Sequence, residues 1–138
     1  MYCNQGYIET ERGKGHAVIS WATIGYGAAL SALLAAVLTA IPTPRRRAVT
    51  AVAAISAAVG PLAWNAIVHT VHAPNFFTDA PVAVLPASWQ DTGSGVFTVA
   101  AASLALGLGP LAGQPARRLA TTALLAGLAA FLVDVYLY

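Results

Sequence analysis

The sequence predicts an all-α membrane protein, four transmembrane helices in an antiparallel bundle with a long outer loop between helices 2 and 3. Three observations predict it. Of 138 residues, 58% are hydrophobic and only 9% are charged, whereas a soluble domain carries charge on about a quarter of its residues. Apolar runs cover residues 17–41, 48–72, 95–113 and 119–138, each meeting or approaching the ~20 residues a helix needs to cross ~30 Å of hydrocarbon. Five of the seven basic residues sit in two clusters between those runs, the arrangement of a topology signal and not of a nucleic-acid-binding face. The chain reads as one integral membrane domain over residues 1–138.

The first run is far longer than the h-region of an export signal, and the tail before it is polar and of mixed charge, so a retained helix is expected. A short link over 42–47 leads to the second run. That run carries Gly60 and Pro61 near its middle, where proline removes one backbone hydrogen bond and predicts a kink. Residues 73–94 form the long loop, punctuated by Pro74, Pro81 and Pro86 and containing Asp79 and Asp91. Connections of that length without regular structure are uncommon and are often functional. Its apolar stretch Val82–Leu85 is expected to lie back against the bundle. Asp91 precedes the third run in Asp-Thr-Gly-Ser-Gly, placed to accept from the free amides of a helix N-terminus. A second short link, 114–118, joins the third and fourth runs, as antiparallel neighbours require.

Arg45, Arg46 and Arg47 lie between runs one and two and Arg117 and Arg118 between three and four, while 73–94 has no Lys or Arg. The positive-inside rule places both arginine loops in the cytoplasm, and both termini and the loop 73–94 outside the cell membrane. Trp21, Phe76, Phe77, Trp89, Tyr136 and Tyr138 then gather at the outer interface, where amphipathic rings are favoured. Arg12 and Lys14 in the outward tail run against this orientation. Small residues four apart, Ala28, Ala32, Ala36 and Ala40 in the first run and Ala101, Ala105, Gly109 and Gly113 in the third, offer flat faces for close helix approach, to one another, to a protein partner or to a second copy.

The residues with chemistry collect toward the outer face. Asn65, His69 and His72 follow Pro61 at spacings that share one helical face. Asn65 lies ~10 Å below His72 at 1.5 Å per residue, deep enough that an unpaired amide is costly, so this face should point inward. Asp134 lies near the outer end of the fourth run, where a carboxylate must face protein or the interface. The candidate cluster is therefore Asn65, His69, His72, Asp79, Asp91 and Asp134. A metal or haem at His69 and His72, aided by a carboxylate, is one chemistry such a cluster can support. Hydrogen-bonding within the bundle and proton handling are others.

Several classes are disfavoured. Cys3 is the only cysteine, which removes internal disulfides and thiolate-rich metal sites. No acidic residue falls at the middle of a run, where a small proton-coupled multidrug exporter needs a carboxylate. Walker, Rossmann, HExxH and nucleophile-elbow motifs do not occur. Three readings stay open. The first is an accessory or structural subunit of a membrane assembly, associating through small-residue helix faces. The second is a metal-dependent or acid-base membrane enzyme using the outer His/Asp cluster. The third is a small-molecule or lipid binder or transporter, enclosed by the kinked second helix and the loop.

Overall fold

In the computed structural model, which describes residues 19–42, 46–71, 85 and 87–137, four helices form: α1 (Trp21–Ala40), α2 (Arg47–Val71), α3 (Trp89–Leu108) and α4 (Ala116–Leu137), and α1 and α3 begin where a side chain satisfies a free first-turn amide. Each of the four is long and apolar enough to cross a membrane. Ser20 caps α1, its hydroxyl accepting from the Thr23 amide at 3.2 Å. Pro42 follows the end of α1, and Pro115 precedes the first residue of α4, positions that suit a residue without an N–H.

α3 starts well before the apolar run at 95 that marks it in the sequence, because Ser88 and Asp91 close a capping box. The Ser88 hydroxyl accepts from the Asp91 amide at 3.3 Å, and the Asp91 carboxylate accepts from the Ser88 amide at 2.6 Å. The polar stretch Gln90–Ser94 is thereby helical and inside the fold. At its other end α3 stops at Leu108, and Gly113 in the following turn takes a φ of 71°, a left-handed conformation that glycine adopts without steric penalty. Gly109 and Gly113 therefore build the α3–α4 connection and do not extend a helix face.

Each helix packs against its neighbours in the chain, and α1 closes the ring against α4. α2 and α3 approach most closely at Gly60, where an added Cβ would lie 2.6 Å from the Thr98 amide nitrogen. One turn further along α2, Asn65 meets Gln90 near the start of α3. α3 and α4 close on a second glycine contact, a Cβ on Gly127 falling 3.0 Å from the Gly95 carbonyl oxygen. Small residues thus do bring these helices together, but they are Gly60, Gly95 and Gly127. The alanine stripe of α1 is not one face: Ala28 is buried, Ala32 and Ala36 are half-buried and Ala40 is exposed. Four residues turn 400°, so such a stripe drifts about 40° at each step. The buried register runs instead through Ile24, Ala28, Ser31, Ala35 and Thr39, at spacings of three or four that keep one helical face. Pro61 sits within an unbroken α2 and is itself buried.

The polarity of the fold is inverted relative to a water-soluble bundle. Alanine dominates the core, in Ala35, Ala53, Ala57, Ala102, Ala123 and Ala126, and beside it lie buried Ser31, Asn65, Gln90, Asp91, Thr98 and Asp134. The large apolar side chains point outward, with Leu33 at 64%, Leu104 at 66% and Leu108 at 85% exposure. In water such a surface is a large apolar patch in need of a cover.

Candidate functional site

The buried amides and carboxylates, Asn65, Gln90, Asp91 and Asp134, lie in the half of the fold where α2 ends and α3 begins, while the hydroxyls of Ser56, Thr39 and Thr122 are buried toward the other end. From α2, Asn65 is fully buried; its amide nitrogen donates to the Pro61 carbonyl at 2.9 Å and its Oδ1 accepts from Gln90 Nε2 at 3.0 Å. The first bond is local, across one turn of α2. The second ties α2 to α3 between two side chains with almost no solvent contact, where a bond once made is expensive to break.

On α3, Gln90, Ser94 and Thr98 recur every four residues and all are buried, forming one polar ribbon that descends into the bundle. Asp91 begins beside that ribbon. Its Oδ2 accepts from the Ser88 amide and from the Ser88 hydroxyl at 2.8 Å, and the helix N-terminus adds a favourable dipole. From α4, Asp134 enters the same region and is only 1% exposed. Ser94 and Asp91 are its polar neighbours, and the Ser94 hydroxyl lies near the Asp134 carboxylate without reaching hydrogen-bonding geometry.

A set of buried oxygens is left without a hydrogen-bond partner among the described residues: Ser31 Oγ, Gln90 Oε1, Ser94 Oγ, Thr98 Oγ1 and both carboxylate oxygens of Asp134. Buried polar atoms are rarely orphaned, and each one left so is destabilising by about 1–3 kcal/mol, a carboxylate by more. Oxygen-rich, thiolate-free surroundings suit protons and hard cations and not soft metals. Toward the arginine end the ribbon gives way to Ala102 and Leu106 on α3, facing Ala53, Ala57, Ala123 and Ala126. The polar residues buried at that end among those described are Ser56, Thr39 and Thr122, the two threonines bonded to carbonyls of their own helices.

The residues singled out in the sequence divide between this cluster and other work. Asn65, Asp91 and Asp134 are interior, whereas His69 is half-buried at the α1 seam. Its ring stacks on Trp21 at 4.7 Å between centroids, and its Nε2 lies 3.1 Å from the Ile19 carbonyl. A carbonyl can only accept, so this bond requires a proton on Nε2. His72 and Asp79 lie outside the described residues, as does most of the loop 73–94. Among the described residues no group of three His, Cys, Asp or Glu side chains could hold a metal ion.

Gln90, Ser94, Thr98 and Ser31 were not among the residues the sequence marked out. The signal for the first three was present, a polar residue every fourth position from 90 to 98, but it falls in a stretch that reads as loop until the Ser88–Asp91 capping box is recognised. Trp64 was also missed. It packs on Phe97 at 5.3 Å and against Gly93, where a Cβ would strike the indole, and so walls the α2–α3 side of the region. No protein-family model, curated protein or solved structure matches the chain.

Proposed function

We propose that this chain is a multi-pass protein of the cell membrane whose interior oxygen cluster around Asp134 binds a small monovalent cation, a proton included. The membrane reading rests on the inverted polarity: lipid is the solvent that accepts Leu33, Leu104 and Leu108 outside while Ser31, Thr98 and Asp134 stay inside. In that setting the helices form an antiparallel bundle with a long outer loop. The two arginine loops face the cytoplasm, and both termini and the connection from α2 to α3 lie outside. The cation-binding reading rests on one observation above the others, the buried Asp134 carboxylate, whose two oxygens have no hydrogen-bond partner among the described residues, beside the likewise unpartnered hydroxyl of Ser94. An ionised carboxylate in such a place is stabilised only by a counter-charge or hydrogen-bond donors brought to it.

The test is thermal unfolding of the purified protein in a mild neutral detergent, followed by tryptophan fluorescence. Sodium, potassium and the bulky cation N-methylglucamine are compared at equal ionic strength, each across pH 5 to 9. Stabilisation by one small cation, absent in Asp134→Asn, supports a metal-ion guest; a pH dependence that vanishes in the same variant supports the proton. Identical curves for wild type and Asp134→Asn in every condition would sink the proposal.

A second reading, an accessory subunit of a larger membrane assembly, is favoured by where the buried ionisable groups stop. Below Thr98 the core is alanine and leucine with the hydroxyls of Ser56, Thr39 and Thr122, and among the described residues no buried acidic or basic side chain carries a charge onward. A bound cation then acts locally, on the packing of α3 and α4 against a neighbour. The enzyme reading has less support, because His69 and Asp91 already have structural partners in Trp21, Ile19 and Ser88.

A further inference from the structure

At the arginine end, opposite the oxygen cluster, Arg46, Arg117 and Arg118 line one cleft of about 560 Å³ together with Pro42, Leu111 and Pro115. Its charge is of one sign. Asp91 and Asp134 are the acidic residues among those described, and they belong to the other half of the bundle. Arg118 donates to the neutral Gln114 at 3.1 Å, and none of Arg46, Arg117 and Arg118 is paired with a carboxylate among the described residues.

The placement is electrostatically unfavourable as it stands. Arg46 and Arg47 stand at the N-terminus of α2 and Arg117 and Arg118 in the first turn of α4, and neither helix has an acidic residue there. A helix N-terminus carries the positive end of its dipole and favours anions, so basic side chains in this position oppose it. The two helix N-termini and the three guanidiniums around the cleft reinforce one another as a positive field. An anion held between them is attracted by every one of these groups and offsets their mutual repulsion.

We propose that this cleft binds the phosphate of an anionic membrane phospholipid. Guanidinium forks match phosphate oxygens in geometry and charge. The apolar walls, Pro42, Leu111 and Pro115, admit the glycerol and the first methylenes. The lipid source follows from where the cleft lies: at the end of four helices read as membrane spans, it stands at the level of the headgroups, and basic pockets between spans on the cytoplasmic side are sites for acidic headgroups. The inference rests on the membrane reading but not on the oxygen cluster, and Asp134→Asn should leave it intact.

The experiment is native mass spectrometry and thermal unfolding of the full chain in neutral detergent with added phosphatidylglycerol, with phosphatidylcholine for comparison and with inorganic phosphate alone. Phosphatidylglycerol should be retained at least tenfold better than phosphatidylcholine and should raise the unfolding temperature, with the preference weakening as salt is raised. The combined Arg46→Gln, Arg117→Gln and Arg118→Gln variant should lose the preference, and the matching three lysine substitutions should keep part of it. Should the glutamine variant fail to fold, the lysine variant and the salt dependence of the wild type carry the same test. Equal retention of the two lipids by the wild type overturns the proposal, as does undiminished preference in the glutamine variant. Stabilisation by inorganic phosphate with no further effect of lipid overturns the lipid source.

Discussion

Replacing Gly60 by alanine should be the most damaging single-methyl change in this protein. The new Cβ would stand 2.6 Å from the Thr98 amide nitrogen and 2.7 Å from its Cα. These are backbone atoms, so no rotamer change clears them. To reach the 3.4 Å of ordinary contact, α2 and α3 must part by about 0.8 Å, a gap that forfeits a quarter to a half of the dispersion energy between the facing atoms. Overpacking of this kind costs about 1–3 kcal/mol. The Asn65–Gln90 bond lies one turn further along the same interface, and stretching it adds about 0.6 kcal/mol, the average for a hydrogen bond between spans. The expected loss is about 1.5–4 kcal/mol. It is read from reversible unfolding in mixed micelles of rising dodecyl sulfate fraction, followed by circular dichroism. Gly25→Ala is the control, since a Cβ there meets nothing within 4 Å and should be neutral or slightly stabilising. Adding Thr98→Ala to Gly60→Ala should not restore stability, because the backbone obstacle remains. If Gly60→Ala unfolds with the wild type, or if Thr98→Ala rescues it, the close backbone approach inferred here is wrong.

Two further outcomes are expected. A double-mutant cycle over Asn65→Ala and Gln90→Ala should return a coupling of about 0.6–1.7 kcal/mol; strictly additive single changes would mean that the 3.0 Å bond does not join α2 to α3. Asp91→Ala should destabilise by about 0.5–2 kcal/mol, the worth of a helix cap, and should speed hydrogen exchange at the amides of Ser88 and the first turn of α3, while unchanged exchange there would remove Asp91 from the capping box.

The four helices were legible in the sequence because each is an apolar run of membrane length, a signal that needs no knowledge of neighbours. The start of α3 was not. Gln90, Thr92 and Ser94 lower the local hydropathy, and only the pairing of Ser88 with Asp91 converts that stretch into helix. Asn65 was recognisable as an inward-facing amide, since its depth forbids an unpaired one, but its partner Gln90 is 25 residues away, across the loop. Nothing local announces that pairing. The packing faces within the bundle were hard to read for a related reason: alanine at every fourth position is abundant here, and which of these residues meet another helix of the same chain depends on helix rotation, as buried Ala28 and exposed Ala40 show. Gly60, Gly95 and Gly127 stand out only once two helices are placed side by side.

The polar ribbon of α3 also bears on how the protein comes to be made. Gln90, Ser94 and Thr98 make this the least apolar of the four spans, and a segment entering lipid alone must bring those groups with it unpaired. α1, α2 and α4 meet no such obstacle of comparable size, apart from Asn65 and Asp134 near their ends. The groups that meet the ribbon, Asn65 on α2 and Asp134 on α4, flank α3 in the chain. The second and fourth helices therefore act as escorts for the third, and the two short-range decisions of membrane insertion, to enter and to stay, become for α3 a single decision shared with its neighbours.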